Sequence, residues 1–260
     1  MNYWQAVVLG LVQGLTEFLP VSSSGHLVLA EALVGFTPPG VFVEVVLHVA
    51  TLGSVLRVYG RRLWDSTRGL LRWSPDPVRY VALLVVATIP AVAVGLFFKS
   101  AIESRFHSLP SLGVEFIVTG IILWSTRWFS GDRAVPGLGG AVGIGLAQAF
   151  AILPAISRSG TTVATGMWLR MAPAAAAEFS FLLSVPVIAG AALLEGRHAT
   201  VNLAEVGLGP LLVSFVVSFA SGVFAIRFLV ALLRRGRFYA FAPYCWALGV
   251  LTIVYALWRG

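Results

Sequence analysis

Charge is scarce in this chain. Of 260 residues, 11% are Asp, Glu, Lys or Arg, against about 25% in soluble domains. So little charge cannot cover a water-facing globule, and 58% hydrophobic residues are equally far from the composition of a disordered chain. Cysteine is scarcer still: Cys245 stands alone, which excludes a disulfide framework and any thiolate-built zinc or iron–sulfur centre. Acids are outnumbered, with 11 Asp and Glu against 18 Lys and Arg and a net charge of +7. That excess does not point to nucleic acid. The basic residues fall in short bursts between apolar runs, as they do on the cytoplasmic side of membrane proteins. The class is an all-α polytopic membrane protein.

A helix needs about 20 apolar residues to cross roughly 30 Å of hydrocarbon. Six segments suffice, near 41–58, 80–98, 112–128, 176–194, 208–230 and 240–258. Two more apolar stretches, near 4–34 and 140–171, are broken in the middle. The first holds Pro20-Val21-Ser22-Ser23-Ser24-Gly25 and the second Pro154-Ala155-Ile156-Ser157-Arg158-Ser159-Gly160. Proline stops a helix, and the Ser/Gly run after it suits a loop and an N-cap. Each stretch reads as a re-entrant helical hairpin whose arms are too short to span. Non-helical backbone at that depth survives only when buried in protein or lining a wet cavity.

The first 15 residues hold no Lys or Arg, and Gln13 and Glu17 interrupt the apolar run, so the N-terminal arm is expected in the mature fold rather than as a signal peptide. Alternating spans place Arg57, Arg61, Arg62, Arg68, Arg72, Arg79, Arg127, Arg133, Arg170, Arg227, Arg234, Arg235 and Arg237 at one set of ends. Lys99, Arg105, Arg197 and Arg259 fall at the other. Thirteen against four makes the first set cytoplasmic. A multi-pass protein of the plasma membrane follows, with both termini outside, hairpin one dipping in from the outer face and hairpin two from the cytoplasmic face.

The chain also matches itself at an offset near 135 residues. Gly10-Leu11-Val12-Gln13 meets Gly145-Leu146-Ala147-Gln148, Gly25 meets Gly160, Glu44 meets Glu178, and Trp124 meets Trp258. Each half, about 1–135 and 136–260, is one broken hairpin plus three spans. Three is odd, so the second copy is expected upside down. The single 1–260 membrane domain is thus read as an inverted-topology repeat with its site where the hairpins meet near the midplane.

The polar residues left without an obvious role lie in those hairpins. Gln13 and Glu17, four apart, share a helix face, and an ionisable residue inside a membrane segment is a functional candidate by default. Ser22, Ser23, Ser24, Gly25 and His26 follow. In the second loop Arg158 sits among Ser157, Ser159, Gly160, Thr161 and Thr162. A helix starting there offers free N–H groups and a positive dipole end to an anion, and a guanidinium with hydroxyls suits phosphate. Two such helix starts meeting at one point would suit a diphosphate.

The segment from Gln13 through Glu17 to Ser22-Ser23-Ser24-Gly25-His26 resembles the Glu/Gln-x-x-x-Glu and Ser-Ser-x-Gly-His motifs of the undecaprenyl-diphosphate phosphatases, the bacitracin-resistance family. Pro154 to Thr162 resembles that family's Pro-Gly-x-Ser-Arg-Ser-x-x-Thr motif, and the likeness extends over essentially the whole chain. It departs at Gln13, where an amide replaces one carboxylate, and at Ala155, where glycine is usual and a side chain disfavours positive φ. The resemblance implies removal of the terminal phosphate of a polyprenyl diphosphate to recycle the lipid carrier of cell-wall or surface-glycan synthesis. It also implies a site open to the outer face and a divalent metal, Mg²⁺ or Ca²⁺.

Phosphoanhydride chemistry needs charge neutralisation, a nucleophile and an acid or base. Arg158 and the N–H groups after Ser157 are placed to hold phosphates, with Gln13, Ser24, Gly25, Ser159, Gly160 and Thr162 around them. Glu17 is the metal carboxylate, since hard cations take oxygen ligands. Ser22, Ser23, His26 or a water activated by Glu17 are alternative nucleophiles, with His26 also a candidate acid or base; spacing does not choose among them. His48 reads as a hydrogen-bonded packing residue, Glu44 and Glu178 as complements to helix dipoles, and His107 and His198 as solvated. Trp124, Trp128, Trp246 and Trp258 read as interfacial anchors. A secondary transporter or lipid flippase is the alternative function, since inverted repeats with broken helices are a transporter architecture. The expected partners are membrane lipid and the polyprenyl diphosphate; a homodimer is left open.

Overall fold

The computed structural model describes residues 1–36, 41–98, 108–196 and 206–259. Among them lie α1 (Tyr3–Phe18), α2 (Ser23–Val34), α3 (Phe42–Leu71), α4 (Pro75–Phe97), α5 (Leu109–Ser125), α6 (Leu138–Phe150), α7 (Arg158–Trp168), α8 (Pro173–Gly196), α9 (Leu208–Arg234) and α10 (Ala242–Arg259). No strand occurs among the described residues, only an isolated bridge between Arg133 and Met171. The chain is an all-α membrane protein. Six helices, α3, α4, α5, α8, α9 and α10, are long and apolar enough to cross a bilayer.

Two spans outrun their apolar segments. α3 continues through Arg57, Arg61, Arg62 and Arg68 to Leu71, and α9 continues to Arg234. Hydropathy marks where hydrocarbon ends, whereas a helix ends where its hydrogen-bond ladder does. For α3 that point is a turn in which Trp73 N–H donates to Leu70 O and Ser74 N–H to Gly69 O, ahead of Pro75 at the start of α4. Pro is well suited to that first helical position.

The remaining four helices are short: 16, 12, 13 and 11 residues for α1, α2, α6 and α7. At 1.5 Å rise per residue none of them reaches across roughly 30 Å. α1 breaks at Leu19 and α2 starts after Ser22; α6 breaks at Ala151 and α7 starts after Ser157. Glycine lets the helices approach closely. A Cβ at Gly14 on α1 would overlap Ser221 and the Ser218 carbonyl of α9. One at Gly145 on α6 would come within 2.7 Å of the Ala87 carbonyl of α4.

Phe18, at the end of α1, packs edge-on against Phe181 of α8 with ring centroids 5.5 Å apart, so the buried core comes directly under the first loop. Outward faces are apolar: Val85, Ile89, Val92 and Leu96 of α4 are all exposed, a helical stripe of the kind that meets lipid. Arginines at the basic ends tie neighbouring elements together. Arg62 bonds Glu178 at 3.1 Å, and Arg170 donates to Ser130 O at 3.1 Å. Lys99, Arg105, Arg197, His107 and His198 lie outside the described residues.

Candidate active site

The two helix breaks face each other across a cavity of about 40 Å³ lined by Thr16, Glu17, Ser22, Ser23, Ser24, Ala151, Ile156, Ser157, Arg158 and Ser159. The loops are stitched together: Ser22 Oγ donates to Pro154 O at 2.6 Å, and Ser159 Oγ donates to Leu19 O at 3.2 Å. Each helix start is capped by a serine. Ser22 Oγ accepts from Gly25 N at 3.5 Å and Ser157 Oγ from Gly160 N at 3.0 Å. His26 N–H and Thr161 N–H turn back to the carbonyls of the same two serines. The first turn of a helix has no intrahelical acceptors for its N–H groups, so Ser23 and Ser24 on one side and Arg158 and Ser159 on the other keep N–H groups for a ligand. All four residues line the cavity. Two positive helix ends therefore serve one small space.

Glu17 occupies the centre. Its Oε1 accepts from Arg158 Nη2 at 2.6 Å. Its Oε2 accepts from Ser23 Oγ at 2.6 Å and from Gln13 Nε2 at 3.1 Å. The pair is largely out of water, with side-chain exposure of 17% for Arg158 and 7% for Glu17. Arg158 is further tied to α8 by a 3.5 Å contact from Nη1 to Ser180 O, while Thr162 Oγ1 lies 2.6 Å from Ser180 Oγ. Short bonds between ionised partners are among the stronger ones.

The structure thus gathers Gln13, Glu17, Ser22, Ser23, Ser24, Ser157, Arg158 and Ser159 in one place, with Gly25 and Gly160 in the first turns behind them and Thr162 one turn along α7 from Arg158. His26 is turned elsewhere. Its Nδ1 bonds Ser22 O and its Nε2 bonds Tyr244 Oη, both at 2.7 Å, and its ring stacks on Tyr244 of α10. It does not line the cavity. What it does hold is Ser22, whose backbone has φ 70°. A non-glycine residue there is strained, and such strain concentrates at functional loops. Ala155, which stands where the family usually has glycine, is not among the positive-φ residues, so the second loop does not ask for glycine there.

Several neighbours carry little local sequence signal. His48, read from sequence as packing, stands with Nε2 3.7 Å from Glu17 Oε2. On α5, Glu115 Oε2 accepts from Ala155 N at 2.8 Å. Four residues on, Thr119 Oγ1 donates to Ala155 O at 3.0 Å and accepts from Ser157 N at 3.2 Å. Together they splint the second loop from behind. Their one signal is an acid inside an apolar span, Glu115. Glu178, expected to complement a helix dipole, pairs with Arg62. Thr119→Val keeps the shape and strips both bonds, leaving two buried backbone groups without partners. We expect a stability loss of about 1–3 kcal/mol in thermal melts, and turnover slowed by roughly tenfold as Ser157 and Arg158 drift.

A divalent cation fits this donor set in part. Glu17 and Ser23 offer oxygen, and Gln13 Oε1 is buried with no hydrogen-bond partner, an acceptor such an ion would satisfy. Among the described residues no three His, Cys, Asp or Glu side chains gather around one point. An ion here would draw its other ligands from substrate phosphates and water, as Mg²⁺ commonly does.

The fold and site together define a class: a polytopic helical membrane protein in which a buried acid–arginine pair joins two broken helices over an anion cradle. The family model of the bacitracin resistance protein BacA matches residues 6–251, and the chain belongs to that family. It is 42% identical to the undecaprenyl-diphosphatase of Desulfosudis oleivorans over 98% of both chains. Identity is 40% with the undecaprenyl-diphosphatase of Carboxydothermus hydrogenoformans, over 98% of this chain and 97% of that one. It is 39% with that of Bacteroides fragilis, over 98% of each.

Proposed function

We propose that this protein hydrolyses undecaprenyl diphosphate to the monophosphate and phosphate, recycling a lipid carrier of cell-wall or surface-glycan synthesis. The observation that carries the reading is the convergence of two capped helix starts and Arg158 on one small polar cavity. A terminal phosphate entering it replaces Glu17 as the partner of Arg158 and takes the spare N–H groups of Ser23, Ser24, Arg158 and Ser159. The names of the relatives favour this hydrolysis over transport or lipid flipping.

Among the candidate nucleophiles, Ser23 is the one already bonded to a base, with Oγ 2.6 Å from Glu17 Oε2. Ser22 Oγ is committed to Pro154 O, and both ring nitrogens of His26 are occupied. Ser23 Oγ attacks the terminal phosphorus while its proton passes to Glu17; the bond to the bridging oxygen breaks and undecaprenyl phosphate leaves. Water then cleaves the phosphoserine, releasing phosphate and restoring Ser23. Arg158 and the helix N–H groups stabilise the charge that builds on the transferred group. A divalent ion bound at Glu17 would supply further neutralisation across the two phosphate groups. Ser23→Ala should lower turnover by roughly 10³-fold or more, and single-turnover quenching should trap phosphoserine in the wild type. A Ser23→Ala enzyme with unchanged rate would return the attack to water.

The membrane arrangement that goes with this reading has α1–α2 and α6–α7 as re-entrant hairpins of an inverted repeat. Supporting it, α1 packs on α9 as α6 packs on α4, the exchange the repeat requires. Gly113 of α5 and Gly249 of α10, 136 residues apart, each face the other's carbonyl. The charge bias favours termini on the outer face, and the resemblance in the two loop motifs favours a cavity that opens to the same side. With Cys245 removed, a cysteine at Arg68 should resist a membrane-impermeant thiol reagent in intact cells and one at Ser108 should react; the reverse pattern overturns this orientation. The activity itself is tested by phosphate release from undecaprenyl diphosphate by the detergent-purified chain. A transporter would release none.

A further inference from the structure

His48 plays no part in the steps above, yet its ring is turned toward them. Nδ1 lies 2.8 Å from the backbone oxygen of Glu44, one helical turn back on α3. A carbonyl only accepts, so Nδ1 carries the hydrogen, and in the neutral imidazole Nε2 holds a lone pair. That lone pair is directed to Glu17, with Nε2 3.7 Å from Oε2. The separation is too long for a hydrogen bond. Two acceptors face each other across it, an imidazole with 30% of its side chain exposed and a carboxylate with 7%, so the carboxylate side of the gap is largely out of water. Gln13, whose Nε2 donates to the same Glu17 oxygen at 3.1 Å, keeps its own Oε1 buried and without a donor. An imidazole lone pair and a carboxylate oxygen 3.7 Å apart, with no hydrogen between them, are set to share a cation.

We propose that His48 Nε2 is a nitrogen ligand of a divalent ion shared with Glu17 Oε2. The proposal rests on the reading of Glu17 as the metal carboxylate and adds to it a second protein ligand and a preference among metals. A ligating histidine generally donates its other ring N–H to a carbonyl or carboxylate, which fixes ring and tautomer; the Glu44 carbonyl does this for His48. Imidazole suits transition ions, whereas Ca²⁺ takes oxygen alone. The site therefore binds Mn²⁺ ahead of Ca²⁺, and His48 sets that order.

The test uses the full chain in detergent with Mn²⁺ alone, and needs no turnover. Pulsed electron paramagnetic resonance should show bound Mn²⁺ coupled to an imidazole nitrogen, with the coupling changing on ¹⁵N-histidine labelling. In His48→Gln the coupling should vanish and Mn²⁺ affinity fall by at least roughly 10-fold, while Ca²⁺ affinity holds, the new amide oxygen serving a hard ion. His26→Gln should leave the coupling intact. Mn²⁺ that is lost in Glu17→Gln but shows no nitrogen coupling in the wild type overturns His48 as a ligand and leaves Glu17 as one. Mn²⁺ binding indifferent to Glu17→Gln, or no bound Mn²⁺ at all, overturns the ion at Glu17 and this proposal with it. The wild-type spectrum decides the matter even if His48→Gln fails to fold.

Discussion

Glu17→Gln is expected to bring phosphate release down by roughly 10³-fold or more while the protein still inserts and folds. The substitution keeps the shape and removes the charge, so the three roles of the carboxylate fail together. It no longer balances Arg158 at 2.6 Å, no longer takes the Ser23 proton, and loses most of its value to a cation. Removing one preorganised charged group from an acyl- or phosphoryl-transfer site costs about 3–4 kcal/mol, or 10²–10³ in rate, and here one group does several tasks. Gln13→Ala should be far milder. It removes one 3.1 Å hydrogen bond to Glu17, worth about 0.5–1.5 kcal/mol, which is at most about tenfold in rate. Measuring kcat and KM for both variants separates the roles. Equal and near-complete loss from both would mean that Gln13 and Glu17 form one inseparable site, and wild-type kcat in Glu17→Gln would remove the carboxylate from the chemistry.

The gap between those two residues shows what the sequence can and cannot announce. Gln13, Glu17, Ser22 to Gly25 and Ser157 to Gly160 are legible because they break apolar runs, and a polar break in a membrane segment is costly unless it is used. The six spans are legible for the same reason, since hydrocarbon imposes a length and a composition that few other structures share. Helix ends are not. α3 runs on through its arginines to Leu71 because nothing in an amphipathic stretch stops the ladder until the turn before Pro75. His48, Thr119 and Ser180 were hidden for a different reason. Each is a single polar residue on a distant helix, and only packing brings them to the loops. The orientation of His26 was hidden too, because its partner Tyr244 lies 218 residues away.

The offset that aligns Gly25 with Gly160 also aligns the two loops residue by residue, and there the halves differ in an instructive way. Ser22 matches Ser157, and both cap a helix. Ser23 matches Arg158, and Glu17 matches Ile152. On the inverted-repeat reading, one half supplies the base and hydroxyl, the other supplies the cation, and neither half alone has both. The common scaffold gives two helix starts to the same cavity; the divergence makes one site of them instead of two weak ones.

Arg158 is where that division can be tested most sharply. Arg158→Ala should reduce kcat by about 10³-fold or more, since it removes both the clamp on the transferred phosphate and the counter-charge that orients Glu17. The fold should survive. Glu17 keeps the Ser23 and Gln13 donors, and the vacated space joins a polar cavity that water can fill. A melting point within a few degrees of the wild type is therefore expected, one or two kcal/mol at about 2–4 °C each for a chain of this size. Arg158→Lys should fall between. An ammonium keeps the charge but not the fork that grips two oxygens in fixed geometry, so KM should change less than kcat. If Arg158 were only the structural partner of Glu17, Arg158→Ala would insert poorly or melt early, and Arg158→Lys would restore both stability and rate. Steady-state kinetics and thermal melts on the two variants, with the Glu17→Gln/Arg158→Ala double variant to measure their coupling, distinguish the cases. A stable Arg158→Ala protein with near-normal kcat would end the phosphate-clamp assignment and reopen the transporter reading.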